Sequence, residues 1–256
     1  MTTVEPELST LIAERYSRVL EVVAASSRKA GRAAKSVRVV VVTKTHPLEV
    51  ALAAVEAGAQ ILGENYAEEA VPKIEGLSER LAHGSRHPAV EWHMVGHVQS
   101  RKAQLVAQYF ALVHSLDSAK LAHKLDQSAG KLGRALPVLL EFNVSGEAGK
   151  HGWLAADESH WAQLVAEAEA MTALPNLKVS GLMTMPPLSA DPEAARIYFR
   201  RLRHLRDFLA KRLPKADWSE LSMGTSADYA VAVEEGATLV RVGQVILGPR
   251  PQVDFE

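Results

Sequence analysis

Short apolar segments alternate with helical patterns eight times along the chain, and this alternation limits what it can fold into more than any other feature. The first apolar segment is "VRVVVVTK" at 37–44 and the last is "ATLVRVG" at 237–243. They are continuous runs of apolar residues, which is typical of parallel strands covered on both faces. Eight such units in roughly 220 residues favour a (β/α)8 TIM barrel. An open doubly wound sheet fits the same periodicity, which alone does not separate the two folds.

One extra helix is predicted ahead of the first strand, because apolar residues such as Leu8 and Ile12 recur there every three or four positions. No linker or low-complexity tract interrupts the pattern that follows. We therefore expect a single domain over residues 1–256, with the extra helix in 1–34 and the barrel in 37–250.

The composition narrows the function classes. The 29 basic and 30 acidic side chains give a net charge of -1, so the protein has no overall attraction to nucleic acid or to anionic membranes. Cysteine is absent, which excludes disulfides and thiolate chemistry. The first ten residues, "MTTVEPELST", do not form a signal peptide, and no apolar run is long enough to span a membrane. We expect a soluble, cytoplasmic protein.

The first predicted strand ends in a lysine. On a two-residue period Lys44 shares a side with Val42 and Val40, so it enters the barrel mouth if those valines face inward. Active sites of barrels lie at that end. A desolvated lysine there suits a Schiff base with a carbonyl compound, whereas a lysine that merely reaches for water needs no function.

Two segments near the C-terminal end predict an anion site. The segment "LSMGTSADY" at 221–229 lies between a strand and a helix, and "VRVGQ" at 240–244 ends the last strand. Barrels often hold phosphate at the loops after strands seven and eight, although Thr225 or Ser226 also suits an ordinary helix cap. Arg241 shares the parity of Leu239, so its guanidinium enters the mouth if Leu239 faces inward.

Eight segments, in order, carry a resemblance to a known family: "VVVVTKTHP", "LGENYAEEA", "EWHMVGHVQSRKA", "HSLDS", "FNVSGEAGKHG", "GLMTM", "LSMGTSADY" and "VRVGQVILGPR". The chain resembles the pyridoxal phosphate homeostasis protein family, which is similar to the N-terminal barrel domain of alanine racemase. The resemblance runs from about residue 37 to residue 250. It implies a monomer that binds pyridoxal 5′-phosphate (PLP) without established enzymatic turnover and contributes to vitamin B6 and amino-acid homeostasis, with PLP-dependent apoenzymes as recipients.

The resemblance also implies which residues bind the cofactor. Lys44 matches the lysine that forms an aldimine with PLP, and Arg241 matches the arginine that faces the pyridine nitrogen. An arginine there keeps that nitrogen unprotonated, because two positive groups in contact are unfavourable. The other matched residues line the pocket or form the phosphate cradle: Asn65, Met94, Ser222, Met223, Gly224, Thr225, Ser226, Gly243 and Gln244.

Three residues depart from the family pattern. Thr225 stands where methionine is common, Gln244 where threonine or serine is common, and Arg101 where asparagine is usual. The roles of Arg101 and Gln244 stay open, as does that of Lys150 in the glycine-rich loop "NVSGEAGKHG".

Two other features are interpreted as structural. His93 and His97, like His83 and His87, are four residues apart, but the first pair spans a predicted strand and its loop, so no metal site is expected. The basic segment "FRRLRHLRDFLAKRL" at 199–213 carries a leucine stripe, and its arginines are expected to form a solvated face rather than a nucleic-acid site.

Two other functions stay open. A PLP-dependent enzyme such as an amino-acid racemase needs a base on each face of the substrate carbon. In alanine racemases the second base comes from a separate domain, which this chain is expected to lack. A cofactor-free Schiff-base aldolase would use Lys44 but leaves the two phosphate-binding segments unexplained.

Overall fold

The computed structural model of the protein describes residues 6–82 and 89–249, so His83 and His87 lie outside the described part. Eight parallel strands close into a barrel in the order β4-β3-β2-β1-β9-β8-β7-β5, with β5 pairing back to β4. A two-stranded extension adds β6 to β5. The strands are β1 (Arg38–Val42), β2 (Ile61–Glu64), β3 (Glu91–Met94), β4 (Leu112–Leu116), β5 (Leu136–Asn143), β6 (Trp153–Leu154), β7 (Leu177–Met183), β8 (Glu220–Ser222) and β9 (Leu239–Val242).

Helices connect the strands and cover the barrel. They are α1 (Pro6–Lys29), α2 (Leu48–Glu56), α3 (Ala67–Ala82), α4 (Ala103–Tyr109), α5 (Ala119–Lys131), α6 (Trp161–Thr172), α7 (Arg196–Arg212), α8 (Tyr229–Glu234) and α9 (Gln244–Leu247). The extra helix α1 packs against α2, α8 and α9. None of the helices within the described ranges combines the length and the apolar character needed to cross a membrane.

Two apolar clusters separate the inside of the barrel from its outside. The smaller cluster takes one residue from each of six strands: Val40, Ile61, Leu112, Leu139, Met183 and Leu239. Residues from so many strands of a closed barrel touch one another only in its interior. The larger cluster lies between the strands and the helices. Val40 and Leu239 therefore face inward, which is the condition under which Lys44 and Arg241 enter the mouth.

The closed barrel rules out the open doubly wound sheet. The first strand ends at Val42 rather than at Lys44, which lies in the following turn. Neither β6 nor α9 was predicted, since elements of two and four residues carry no periodicity. The leucine stripe of α7 is buried, and Arg196 and Arg200 on that helix form ion pairs with Glu235.

Candidate functional site

A cavity of about 320 Å³ opens at the C-terminal end of the barrel. It brings together seven of the residues predicted for the site: Lys44, Asn65, Thr225, Ser226, Arg241, Gly243 and Gln244. These residues come from both ends of the chain, because β1 and β9 are neighbours in the barrel. The cavity is also lined by Val42, His46, Val95, Met185, Leu188, Ala227 and Gly248.

The turn that carries Lys44 is held to α3 on both sides. The carbonyl oxygen of Thr43 accepts a hydrogen bond from Lys73 Nζ at 2.9 Å, and the amide of Thr45 donates to Glu69 Oε1 at 2.5 Å. Thr45 has a φ of 64°, a left-handed conformation that β-branched residues rarely adopt. The backbone on either side of Lys44 is thus fixed by side chains that lie outside the barrel.

Arg241 lies deeper in the cavity than Lys44, because β9 pairs Arg241 with Val40, four residues before the lysine. The guanidinium donates to Ser222 Oγ at 2.5 Å and to the carbonyl oxygen of Thr184 at 3.0 Å. Arg241 is only 5% exposed, and its burial lowers its pKa to about 10. That value is still well above neutral pH, so the floor of the cavity carries a positive charge.

A chain of hydrogen bonds runs from Arg241 through the barrel interior to its opposite end. Ser222 Oγ lies 2.7 Å from His114 Nδ1, His114 Nε2 lies 3.0 Å from His93 Nδ1, and His93 Nε2 lies 3.3 Å from Glu91 Oε2. Burial lowers the pKa of both histidines, while the hydrogen bond with His93 lowers the pKa of Glu91. The chain therefore ends in an ionised carboxylate and contains two neutral imidazoles.

These charge states fix the direction of the chain. A carboxylate only accepts hydrogen bonds, so His93 carries its proton on Nε2 and accepts on Nδ1. His114 then also carries its proton on Nε2, and Ser222 donates to His114 Nδ1. Each group from Arg241 to His93 thus donates toward Glu91.

Two glycines let the backbone pack tightly in the turns on the other side of the cavity. Gly224 has a φ of 93°, and a Cβ there would lie 2.5 Å from the Cβ of Ala232. A Cβ on Gly243 would lie 2.9 Å from the carbonyl oxygen of Val42. The amide of Gly243 donates to Ser226 Oγ at 3.3 Å, which joins the two turns. The two turns are thus packed closely against neighbouring protein atoms and joined to each other.

Comparisons with known proteins show which family the chain belongs to. The family model described as alanine racemase, N-terminal domain, matches residues 20–251. The pyridoxal phosphate homeostasis protein of Vibrio alginolyticus is 38% identical over 223 residues, which cover 87% of this chain and 91% of that protein. The chain belongs to the pyridoxal phosphate homeostasis protein family.

Other members of the family extend the match. The pyridoxal phosphate homeostasis protein of Aquifex aeolicus is 38% identical over 237 residues, covering 93% of this chain and 97% of that protein. The solved structure of PipY from Synechococcus elongatus with PLP bound superposes with a TM-score of 0.76 at 32% identity, and the match covers 93% of this chain and all of PipY.

The structure gives contacts for the three residues that depart from the pattern of the pyridoxal phosphate homeostasis protein family, and for Lys150. Both the amide and the hydroxyl of Thr225 hydrogen-bond to Asp228 Oδ1, at 2.6 and 3.1 Å. The Thr225 hydroxyl therefore closes its own turn. Arg101 donates to the side chain of Gln99 and does not line the cavity. Lys150 donates to the carbonyl oxygen of Met185 at 3.0 Å. Gln244 lines the cavity at the start of α9.

Four residues matched to the family site do not line the cavity. Met94 and Met223 belong to the outer core, between strands and helices. Ser222 and Gly224 contact Arg241 instead, through a side-chain and a backbone hydrogen bond. The register pairs Glu64 with Met94, so Met94 faces away from the side of Asn65, and the next residue, Val95, lines the cavity.

The alternation of side chains along a strand determines which further cavity-lining residues the sequence predicts. Val42 has the parity of Lys44, and Val95 has that of the inward His93, so a strict two-residue count predicts both on the cavity wall. His46, Met185, Leu188, Ala227 and Gly248 come from loops, where no periodicity applies.

Glu141 makes a pH-dependent contribution to the stability of the protein. It is buried on β5, and burial first, then Asp117, raise its pKa from 4.5 to about 7. Because the folded pKa is the higher one, this group's contribution is complete below about pH 4.5 and is lost as the pH rises through about 7. We expect Glu141→Gln to remove up to about 3 kcal/mol of the change in the free energy of unfolding with pH.

Urea unfolding of wild type and Glu141→Gln at pH 4.5 and pH 8 measures that contribution. The variant's free energy of unfolding, relative to wild type, should be higher at pH 8 than at pH 4.5. A difference between the two proteins that stays constant with pH would show that Glu141 titrates in the native protein much as it does in the unfolded chain.

Proposed function

We propose that this protein binds PLP in the cavity at the barrel mouth, without turnover of its own, and contributes to the PLP, vitamin B6 and amino-acid balance of the cell. The observation that carries the proposal is that Lys44, Arg241 and the two glycine-containing turns line one cavity. The names of the relatives in the pyridoxal phosphate homeostasis protein family, and the PLP-bound PipY structure, support the same ligand.

The cavity fits PLP by the chemistry of its walls. The ligand has an aldehyde, a phosphate and a pyridine nitrogen, and its aldehyde condenses with a primary amine, with loss of water, to give a Schiff base. Lys44 supplies the amine. The turns at 224–227 and 243–244 supply backbone N–H groups and a serine hydroxyl for the phosphate.

Arg241 is the group that would face the pyridine nitrogen. Its guanidinium is buried, and none of the carboxylates within residues 6–82 and 89–249 forms a salt bridge with it. Its donors point to the neutral oxygens of Ser222 and Thr184 and to the sulfur of Met185. A cation held in this way keeps a neighbouring ring nitrogen unprotonated and so weakens the ring as an electron sink. That effect suits storage and release of PLP better than catalysis.

We further propose that the whole chain, including α1, acts as one PLP-binding domain and works as a cytoplasmic monomer that hands the cofactor to PLP-dependent apoenzymes. The near-zero net charge supports the absence of nucleic-acid and membrane partners. The absence of cysteine fits a reducing compartment. Light scattering of the purified protein tests the monomer, and transfer of bound PLP to an apoenzyme in the presence of a trap for free PLP tests the recipient.

The experiment that tests the proposed function is an absorbance spectrum of the purified protein with PLP, before and after borohydride, followed by peptide mapping. We expect a near-visible band that borohydride removes, with the reduced adduct on Lys44. Assays with free amino acids then separate a carrier from a racemase. A protein that stays colourless with unmodified Lys44 contradicts PLP binding and favours the aldolase.

A further inference from the structure

We propose that His97, Asp117 and His151 form a binding site for a divalent transition-metal ion at the rim of the barrel. His97 follows β3, Asp117 follows β4, and His151 lies between β5 and β6. The three side chains each offer one ligand atom, and these atoms all lie within 4.8 Å of one another. None of the three lines the cavity proposed for PLP, so the two sites are separate.

The spacing of the ligand atoms suits a metal ion. His97 Nδ1 lies 2.8 Å and His151 Nδ1 lies 3.6 Å from the same carboxylate oxygen, Asp117 Oδ2. Zinc binds imidazole nitrogen and carboxylate oxygen at about 2.0–2.1 Å, so a tetrahedral site has ligand atoms about 3.3 Å apart. The two distances to Asp117 Oδ2 must change by about 0.5 and 0.3 Å to reach that spacing, and one imidazole ring must tilt so that both Nδ1 lone pairs meet at the ion.

The carboxylate is held in place before any ion arrives, and the two imidazole rings already lie next to each other. The two imidazole rings stack with their centroids 3.9 Å apart and their planes 12° from parallel. The side chain of Asp117 is only 8% exposed, and its other oxygen, Oδ1, accepts a hydrogen bond from Ser118 Oγ at 3.0 Å. Such a contact to the second oxygen is the usual outer-shell support of a metal-binding carboxylate.

The loop that carries His151 is also fixed. A Cβ on the next residue, Gly152, would lie 2.5 Å from the carbonyl oxygen of Glu141, so the loop backbone packs directly on β5. Trp153 then pairs with Phe142. His151 therefore returns to the barrel rim at a defined place.

The ligand set selects the class of metal. Two imidazoles and one carboxylate suit Zn²⁺, Co²⁺ and Ni²⁺, whereas Mg²⁺ and Ca²⁺ prefer oxygen ligands alone. Both histidines are partly exposed, which leaves room for one or more water ligands. Three protein ligands and an open position are the pattern of zinc sites that exchange a ligand.

Isothermal titration of chelator-stripped, full-length protein with Zn²⁺ and with Co²⁺ tests the site. We expect wild type to bind one ion at this place, and His97→Ala and His151→Ala each to weaken that binding at least about tenfold. His160→Ala is the matched control, because His160 and Asp157 form a lone exposed pair with Nδ1 and Oδ2 3.1 Å apart. That control should bind as wild type does.

Melting temperatures with and without Zn²⁺ keep the test independent of folding. A bound ion raises the melting temperature of wild type and of His160→Ala, and Asp117→Asn, which keeps the shape of the side chain, should lose this rise. Absence of binding to wild type, or equal affinity in both alanine variants and wild type, overturns the proposal. Repeating the titration with Lys44→Ala separates it from the proposed function, because loss of the PLP linkage should leave metal affinity unchanged.

Discussion

Lys44→Ala is expected to abolish the borohydride-trapped adduct with PLP completely, because Lys44 is the lysine that lines the cavity. Affinity should fall without vanishing, since Arg241 and the turns at 224–227 and 243–244 stay in place. The measurement is mass mapping of the reduced adduct, paired with equilibrium dialysis of PLP.

Two comparison variants make this result specific to Lys44. Lys150→Ala removes another lysine near the mouth, one that contacts Met185, and should keep the whole adduct. Arg241→Ala should keep the adduct on Lys44 while weakening PLP binding roughly 10- to 100-fold, as expected when a charged hydrogen-bonding group is lost. If Lys44→Ala formed as much adduct as wild type, the covalent site would have to be a different residue.

Lys73→Met is expected to lower the free energy of unfolding more than any of the other substitutions described above. Lys73 and Glu64 form an ion pair at 2.7 Å with side chains 6% and 0% exposed. Within residues 6–82 and 89–249, Glu64 Oε2 has no hydrogen-bond partner, and burial raises the pKa of Glu64 even with Lys73 beside it. Removing the lysine leaves a buried carboxylate without its cation, which costs about 3–5 kcal/mol. Thermal unfolding should show a fall of roughly 6–20 °C.

An exposed pair provides the control for this variant. Lys29, whose side chain is 71% exposed, pairs with Glu234, and Lys29→Met should cost less than about 1 kcal/mol. The double variant Lys73→Met with Glu64→Leu should regain much of the lost stability, because it removes the stranded charge as well. Equal losses for Lys73→Met and Lys29→Met would mean that the buried pair contributes no more than a surface one.

The fold was largely predictable because its signal is local. Each barrel strand is an apolar run between helical patterns, and the parity of Val40 and Leu239 placed Lys44 and Arg241 at the mouth. Met94 shows the limit of that reasoning. The two-residue count turns Met94 outward only once His93 is known to face inward, and that depends on the register of the assembled sheet.

The parts of the sites that escaped prediction are assembled from distant segments. Lys73 and Glu64 are charged residues that a sequence pattern places in solvent, and they become buried only when α3 packs on the barrel. His97, Asp117 and His151 come from three loops, so no motif spacing connects them. His97 is close in sequence to His93, yet His93 lies in the barrel interior and bonds to His114.

The hydrogen-bonded chain from Arg241 through Ser222, His114 and His93 solvates the guanidinium with fixed dipoles, where water would do so with mobile ones. Liquid water stabilises a charge by turning its dipoles toward it, and those dipoles must turn again whenever the charge or its partner changes. In this barrel the acceptor ends already point at the guanidinium and are locked by packing. The dipoles that face the guanidinium are therefore already oriented before a ligand enters, and little of the binding energy is consumed in reorienting them.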